Sequence, residues 1–278
     1  MANAAIQPLA LTAFYCCALR AKDAASAKPI CGDTLAAKFL DDETLKRLQP
    51  ALAFRGPAAS NVARHRIIDD IIRAALAKNP TRRIILLGAG LDTRAFRLTG
   101  GQWSEFDDAA LFAFKESRLP VQSAANPLTR TSVDFSQAEL HDYLAPLAGE
   151  DDALVVLEGV SMYLPTATLE QTAATVSAVL PRASIVCDLM SPKFRDRYAG
   201  DLRRELGVIG AHFATDPTHP RLSLEAAGYV PKEVISIVGR ARDLGSFRIP
   251  RWLLNSLLRE LRDGYQVYHF APRWPAGS

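Results

Sequence analysis

Short apolar runs alternate along the chain with amphipathic segments, and this pattern predicts a sheet with helices on its faces. The runs at 84–87 and 153–157 consist wholly of apolar residues, which is typical of strands buried on both faces of a parallel sheet. We predict seven strands: residues 83–87, a short strand ending near Asp107, and residues 130–133, 153–157, 183–189, 233–238 and 265–270.

Helical spacing marks the segments between these strands. Residues 60–79 carry apolar side chains at helical intervals, with Ser60 as a candidate cap. Further helices are expected over 109–118, from about Ser136, and from Pro165, because proline is favoured at the first helical position. Between residues 191 and 228 the pattern weakens, and prolines, glycines and charges indicate a lid or a substrate-facing insert.

Strands and helices alternate, so we predict an α/β fold built on one doubly wound sheet. The chain shows no internal repeat and no linker. We therefore expect a single domain over residues 1–278, with a helical N-terminal extension at 1–59 and the lid at 191–228.

Composition and charge narrow the functional classes. The 278 residues suffice for one large α/β domain, 49% of them are apolar, and no stretch is long enough to span a bilayer. The net charge of +3 is too small to indicate a nucleic-acid partner. No basic residue precedes the apolar stretch at 3–19, so we expect a packed helix there rather than a signal peptide.

The four cysteines are Cys16, Cys17, Cys31 and Cys187, and their spacing is not that of a zinc site. Reduced thiols are typical of the cytosol. We therefore expect a cytoplasmic protein that binds neither a metal, nor nucleic acid, nor a membrane.

Gly88 and Gly90 follow the predicted strand at 83–87, where glycine lets the backbone turn sharply and approach a ligand. A dinucleotide fingerprint has a third glycine, but Thr93 occupies that position here, and Asp92 places a negative charge near the phosphate site. These departures favour a cationic nucleoside such as S-adenosylmethionine, which has a sulfonium and an ammonium group and no phosphate. A dinucleotide remains the alternative.

Acidic residues also follow the next strands, at the sheet edge where doubly wound folds bind ligands. Glu105 and Asp107 end the second strand, Asp134 follows the third, and Glu158 follows the fourth. Asp107 can accept hydrogen bonds from both ribose hydroxyls. Asp134 can meet the adenine amino group while Phe135 flanks the ring, and Glu158 lies near the positive end of the donor. Each acid can instead be a helix cap, and Phe135 a core residue.

Residues 87–98, Leu-Gly-Ala-Gly-Leu-Asp-Thr-Arg-Ala-Phe-Arg-Leu, closely resemble the Leu-Gly-Ala-Gly-Leu-Asp-Thr-Arg signature of the leucine carboxyl methyltransferase family, which includes bacterial polyketide O-methyltransferases. Segments 63–70, 105–107 and 158–164 resemble the family in order and spacing. The resemblance spans roughly residues 10–190. It implies an S-adenosylmethionine-dependent enzyme with the Rossmann-like, seven-stranded sheet of class I methyltransferases.

The resemblance also implies which residues hold the donor. Arg64 would bind the methionine carboxylate, with Arg66 as the alternative if the register differs by two residues. The remaining donor contacts implied in the same way are Gly88 for the methionine part, Asp107 for the ribose, Asp134 and Phe135 for the adenine, and Glu158 for the ammonium group. Gly90, in the same turn as Gly88, is a further predicted cofactor contact.

Methyl transfer from a sulfonium mainly requires that the acceptor oxygen be placed near the methyl group and that water be excluded. A carboxylate is already ionised at neutral pH, whereas an alcohol or phenol needs a general base. Tyr163, His212 and His219 are the candidates for that base. Tyr163 either faces the acceptor pocket or packs as an aromatic residue, and both histidines lie in the predicted lid, where they can equally be surface residues.

We therefore expect an O-methyltransferase that acts on the carboxylate of a small, polyketide-type molecule, with residues 1–40 and 191–228 building the acceptor pocket. A hydroxyl acceptor and a protein C-terminal carboxylate are alternatives within the same chemistry. A nicotinamide-dependent oxidoreductase and a non-catalytic nucleoside-binding module are alternatives from other classes.

Overall fold

The computed structural model describes residues 8–133, 140–149, 152–208 and 210–273, and the side chains from residue 11 onward. One sheet of seven strands runs through these residues in the order β3-β2-β1-β4-β5-β7-β6. The strands are β1 (Arg83–Leu87), β2 (Gln102–Asp107), β3 (Leu128–Ser132), β4 (Ala153–Leu157), β5 (Ser184–Met190), β6 (Tyr229–Ser236) and β7 (Tyr265–Pro272).

The first five strands are parallel, whereas β7 runs antiparallel to both β5 and β6. The chain order reverses between β1 and β4, and such a switch point is where doubly wound sheets bind ligands. The predicted α/β class and the seven-stranded sheet are confirmed. The prediction of a strand over 233–238 was wrong at both ends, because Ser236 ends β6 and caps the following helix by accepting a hydrogen bond from Gly239 N.

Thirteen α-helices lie in the described ranges, and short 3-10 turns join several of them. They are α1 (Pro8–Ala24), α2 (Asp42–Leu52), α3 (Arg55–Lys78), α4 (Arg94–Arg97), α5 (Ala109–Arg118), α6 (Leu140–Leu144), α7 (Thr166–Val179), α8 (Pro192–Tyr198), α9 (Gly200–Val208), α10 (Arg221–Ala226), α11 (Ile237–Asp243), α12 (Arg251–Asn255) and α13 (Arg259–Asp263).

The helix over 109–118 was predicted with its observed bounds, but two helix starts were not. Helix α3 begins at Arg55, so Ser60 lies inside the helix and is buried rather than capping it. Pro165 is the N-cap of α7 rather than its first helical residue.

The sheet is covered on both faces, as the apolar runs require. In β1, Ile84 and Leu86 pack in a cluster with α3 and α11, whereas Ile85 and Leu87 pack in a second cluster with α7. Alternate residues of a strand point to opposite faces, so a strand buried on both must be apolar throughout.

A third apolar cluster joins segments that are distant in the sequence. It contains Phe14 from α1, Leu48 from α2, Leu91 from the turn after β1, and Leu206 and Phe213 from the segment predicted as a lid. The N-terminal helices and this segment therefore share one core beside the carboxyl end of β1. None of the helices in the described ranges combines the length and the apolar character that a membrane span requires.

Candidate functional site

The turn after β1 has the backbone conformation that only glycine adopts freely. Gly88 has φ +72° and Gly90 has φ +51°. A Cβ atom on Gly88 would lie 2.6 Å from Val160 Cγ2, and one on Gly90 would lie 3.3 Å from Ala13 Cβ of α1. The two glycines therefore allow the close approach of the loop after β4 on one side and of α1 on the other.

Asp107 ends β2 directly beside this turn. Its Oδ2 accepts a hydrogen bond of 2.6 Å from Gly90 N, and its Oδ1 accepts one of 2.7 Å from Asp108 N. Burial raises the pKa of Asp107, and the two backbone N–H donors oppose that shift only in part. Asp107 is thus a partly buried acceptor next to Gly90.

Arg64 reaches from α3 to the ends of β4 and β5. Its Nε donates to Glu158 Oε1 at 3.1 Å, and its Nη1 donates to Asp188 Oδ2 at 3.1 Å and to Tyr265 Oη at 2.8 Å. Its Nη2 lies 3.7 Å from Cys16 Sγ. The Tyr265 hydroxyl in turn donates to Asp188 at 2.6 Å. Two guanidinium nitrogens of Arg64 therefore bind carboxylates, and the third faces α1.

Gly159 makes room for this guanidinium. Its φ is +70°, and a Cβ atom there would lie 3.1 Å from Arg64 Nη2. Its N–H donates to Asp188 Oδ1 at 2.7 Å, so both oxygens of this buried carboxylate are bonded. The sequence Glu158-Gly159 after β4 thus combines a carboxylate with the close approach that Arg64 needs.

Arg94, which is itself fully buried, is the centre of a second group of charges. Its guanidinium lies 2.6 Å from Asp69, 2.5 Å from Asp92 and 2.6 Å from Glu158. Arg97 adds bonds to Asp69 and to His65 Nε2. The Asp-Thr-Arg motif therefore connects the turn after β1 to α3 and to the end of β4.

The charge states in this group follow from its contacts. Burial and the adjacent Arg94 lower the pKa of His65, so its ring is neutral at pH 7. A guanidinium nitrogen approaches each ring nitrogen of His65, because Arg97 Nη2 lies 2.6 Å from Nε2 and Arg94 Nη2 lies 2.8 Å from Nδ1. Glu158 Oε2 lies 3.1 Å from the same Nδ1. Burial alone would raise the pKa of Glu158, but Arg94 and Arg64 lower it well below its ordinary value. Glu158 is therefore ionised.

His65, Asp92 and Glu158 bring potential metal-ligand atoms within 4.8 Å of one another. The Arg94 guanidinium lies among these three side chains and bonds to two of them as an ion pair. A positive charge already compensates this group, so its geometry gives no support for a metal ion.

Thr93 anchors the same turn to the N-terminal region. Its hydroxyl donates to Asp33 Oδ1 at 2.7 Å, and Asp33 is also paired with Arg20 at 2.9 Å. Arg20 donates in addition to Leu91 O at 2.7 Å. Thr93 and Asp33 are both fully buried. The position where a dinucleotide-binding loop has its third glycine is therefore closed by a hydrogen-bonded threonine.

The structure corrects the interpretation of three charged residues. Asp92 does not present a free negative charge to a ligand, because Arg94 neutralises it. Glu105 is fully buried between Lys115 at 2.8 Å and Arg130 at 2.9 Å, so it supports the sheet and lies outside the site. Arg66, the alternative to Arg64, is half exposed and pairs with Asp70 at 2.8 Å.

A cavity of about 260 Å³ lies beside Arg64, and we call it the α1–α3 cavity. Tyr15 and Cys16 line it from α1, and Tyr163 lines it from the 3-10 turn after β4. The ring of Tyr163 packs edge-on against Phe213, with ring centroids 5.2 Å apart. Burial raises the pKa of Tyr163, so its hydroxyl stays protonated at neutral pH.

The segments expected to form an acceptor pocket both contribute to this cavity, through residues 12–16 and 194–213. Residues 56–64 and 238–265 also line it, which the sequence did not predict. His212 is exposed and His219 packs near Tyr268, and neither lines the cavity. Asp134 and Phe135, the predicted adenine contacts, lie outside the described residues.

Sequence reasoning missed Asp188, Tyr265 and the central role of Arg94. Asp188 had a detectable signal, because it is the one charged residue within the apolar strand β5. Arg94 was visible only as part of a motif, since nothing in the sequence shows that Asp69 lies beside it. Tyr265 carries no signal beyond its place at the start of β7.

Comparisons with known proteins point to one family. A protein of Streptomyces avermitilis, provisionally named an S-adenosyl-L-methionine-dependent methyltransferase, is 35% identical over 50% of this chain and 49% of its own length. The tetracenomycin polyketide synthesis O-methyltransferase TcmP of Streptomyces glaucescens is 28% identical over 74% of each chain. The chain spans about half the length of the first curated relatives that it matches.

The crystal structure of a Thermobifida fusca protein, provisionally named a methyltransferase, has the same fold as this chain. The TM-score is 0.57, over 86% of this chain and 94% of that one. The two are only 10% identical, so this likeness concerns the fold alone. The family model for leucine carboxyl methyltransferases matches residues 13–177, which contain the glycine turn, Arg64, Asp107 and Glu158. The chain therefore belongs to the leucine carboxyl methyltransferase family.

Proposed function

We propose that the protein is an S-adenosylmethionine-dependent O-methyltransferase that methylates the carboxylate of a small molecule. The donor supplies a methyl group on a positively charged sulfur, which is already activated for transfer. Family membership and the names of the relatives support the donor. The observation that supports a carboxylate acceptor is the α1–α3 cavity, because the described residues that line it include no histidine and no carboxylate that could act as a general base.

The residues present fit the donor in chemistry. Asp107 keeps unused lone pairs after accepting two backbone hydrogen bonds, as a contact to a ribose diol requires. Arg64 Nη2 has only the weak sulfur contact, so it is suited to bind the methionine carboxylate. Glu158 stays ionised and would hold the ammonium group. Gly88 and Gly90 would border the methionine part, because they form the turn directly after β1, beside Asp107.

The balance of buried charge also favours a cationic ligand. Arg20, Arg64, Arg94 and Arg97 face the five carboxylates of Asp33, Asp69, Asp92, Glu158 and Asp188. With His65 neutral, these four arginines and five carboxylates leave one negative charge uncompensated. Arg73 also approaches Asp69, but it is left out of this count because its side chain is 47% exposed to solvent. A ligand with a positive centre is favoured next to such an excess.

The lack of a general base among the described residues of the cavity wall favours an acceptor oxygen that is already ionised. No histidine and no carboxylate is among the described residues that line the cavity. Tyr163 is protonated at neutral pH and acts as a hydrogen-bond donor that orients the acceptor. An alcohol or phenol must lose a proton during the reaction, and no described group in the cavity wall is suited to accept it. A carboxylate with its ordinary pKa of about 4 is already ionised when it binds.

The same geometry disfavours the alternatives. A nicotinamide dinucleotide needs backbone access at the third glycine position, and the buried Thr93 occupies it. A protein C-terminus would have to enter a cavity that α1 and α9 help to enclose. The apolar wall of that cavity suits a compact small molecule better than a peptide backbone with its many polar groups.

The test is methyl transfer from S-adenosylmethionine with a tritiated methyl group to 2-naphthoic acid and, in parallel, to 2-naphthol. We expect base-labile tritium on the acid and none on the phenol. Arg64→Met should weaken binding of S-adenosylhomocysteine at least tenfold, and Arg66→Met, on the surface of the same helix, should not change it. Transfer to the phenol alone, or tight binding of NADPH without binding of S-adenosylhomocysteine, would overturn the proposal.

A further inference from the structure

The guanidinium of Arg64 is held through two of its three nitrogens. Nε donates to Glu158 Oε1 at 3.1 Å, and Nη1 donates both to Asp188 Oδ2 at 3.1 Å and to Tyr265 Oη at 2.8 Å. Nε carries one N–H and Nη1 carries two, so all of these donors are used. A single bond at Nε would let the group turn about it, whereas three bonds on a rigid, planar guanidinium also fix the direction of Nη2.

Asp188 supports this arrangement from the interior and is out of reach of a ligand. The residue is 0% exposed. Its Oδ1 accepts a hydrogen bond of 2.7 Å from Gly159 N, and its Oδ2 accepts from Arg64 and from Tyr265. Both oxygens are therefore bonded within the protein, and the negative charge of Asp188 acts on the site through Arg64.

Tyr265 connects Arg64 to Asp188. Its hydroxyl accepts from Arg64 Nη1 at 2.8 Å and donates to Asp188 Oδ2 at 2.6 Å. Burial raises the pKa of Tyr265 well above its ordinary value, so the hydroxyl stays protonated and keeps the bond that it donates. The ring packs against Phe194, with centroids 5.7 Å apart. Removal of the hydroxyl alone would therefore alter the support of Arg64 and keep this ring contact.

On the basis of the donor contacts proposed above, we propose that Asp188 and Tyr265 are positioning residues for the methyl donor. They orient Arg64 so that Nη2 meets the methionine carboxylate, and their own polar atoms do not bind the donor. Asp188 lies on β5 and Tyr265 on β7, and both come after residues 13–177, which the family model matches. Affinity for the donor therefore depends on these two strands as well as on the segments that carry the family motifs.

The experiment isolates the carboxylate contact with two ligands. S-adenosylhomocysteine is compared with its decarboxylated analogue, which keeps the adenosine, the sulfur and the ammonium group and lacks only the carboxylate. Calorimetric titration of the full chain should show that the wild-type protein prefers S-adenosylhomocysteine at least about tenfold. Tyr265→Phe should lower this preference at least about threefold and leave the affinity for the analogue unchanged. A structural defect would instead weaken both ligands alike.

Tyr268→Phe is the matched control, because it removes the same atom from the same strand. Tyr268 is 4% exposed, bonds to Gln266 at 2.9 Å and packs in the cluster on the opposite face of the sheet from Tyr265. Asp188→Asn is the second variant, and it should lower the preference further because the charge beside Arg64 is lost. An unchanged preference in Tyr265→Phe or Asp188→Asn, or an equal fall in Tyr268→Phe, would overturn the inference.

Failure of the inference is distinguishable from failure of the proposed function. Wild-type protein that binds both ligands equally would overturn the contact between Arg64 and the donor carboxylate, and this inference with it, while methyl transfer to 2-naphthoic acid would still support the proposed function. A preference that falls as expected in Tyr265→Phe, together with methyl transfer to 2-naphthol alone, would support this inference and overturn the proposed acceptor.

Discussion

Replacement of Arg94 by methionine should severely destabilise the fold, because this side chain compensates three carboxylates in the interior. Arg94 is fully buried and pairs with Asp69, Asp92 and Glu158. Without it, Asp69 still has Arg97, and Glu158 still has Arg64. Asp92, which is 7% exposed, loses the cation that neutralises it.

The magnitude follows from that one uncompensated charge. Removal of one partner of a buried ion pair costs about 3–5 kcal/mol. A domain is stable by about 5–15 kcal/mol, so Arg94→Met should remove a large fraction of the total free energy of unfolding. In the double variant Arg94→Met with Asp92→Asn the isolated charge is gone. We expect its free energy of unfolding to recover by at least about 1 kcal/mol relative to Arg94→Met alone.

Urea denaturation followed by far-ultraviolet circular dichroism measures these differences. Arg73→Met is the control, because Arg73 also approaches Asp69, at 3.5 Å, but its side chain is 47% exposed. Its loss should change the free energy of unfolding by less than about 1 kcal/mol. An Arg94→Met protein that loses less than about 1 kcal/mol, or no more than Arg73→Met, would refute the assignment of Arg94 as the structural centre of the site.

Three further outcomes are expected. Asp107→Ala should weaken binding of S-adenosylhomocysteine by about 1–3 kcal/mol in calorimetric titration, whereas Asp108→Asn, which keeps a capping oxygen on α5, should leave the affinity unchanged. Gly88→Ala should lower the melting temperature by several degrees, because φ is +72° and the new Cβ would overlap Val160; an unchanged melting temperature would contradict the turn geometry. Glu158 and Asp69 have pKa values below those of the unfolded chain, so the stability that they contribute is complete above about pH 5 and is lost as the pH falls further. Urea midpoints between pH 3 and 7 should show this decline, and a midpoint that rises on acidification would exclude it.

Much of the sheet could be predicted from the sequence because its strands are apolar on both faces. The run at 83–87 and the helix at 109–118 appear with their predicted bounds, since local pattern alone determines them. The start of α3 could not be predicted, because residues 55–59 contain glycine and proline and are held in the helix by packing against distant elements.

The site was partly predictable for a related reason. Gly90 and Asp107 are adjacent in the structure because sheet topology dictates that the ends of neighbouring parallel strands meet. The partners of Arg94 could not be predicted from the sequence, because His65 and Asp69 lie on a helix whose rotation about its axis is fixed only by tertiary packing. For Glu105 the interpretation as one of the acids at the ligand-binding edge was wrong. Its place near the end of β2 does not determine which face of the sheet its side chain occupies, and it pairs with Lys115 instead.

The shared core of the N-terminal helices and the segment after β5 constrains how this fold can acquire new specificities. The wall of the α1–α3 cavity combines segments that are distant in the sequence, from residues 12–16 to residues 238–265. Transplanting any one of these segments from a relative would leave its apolar partners mismatched. Recombination at a single crossover is therefore a poor route to a new acceptor, and successive point substitutions that preserve the common core are the accessible path for evolution and for engineering.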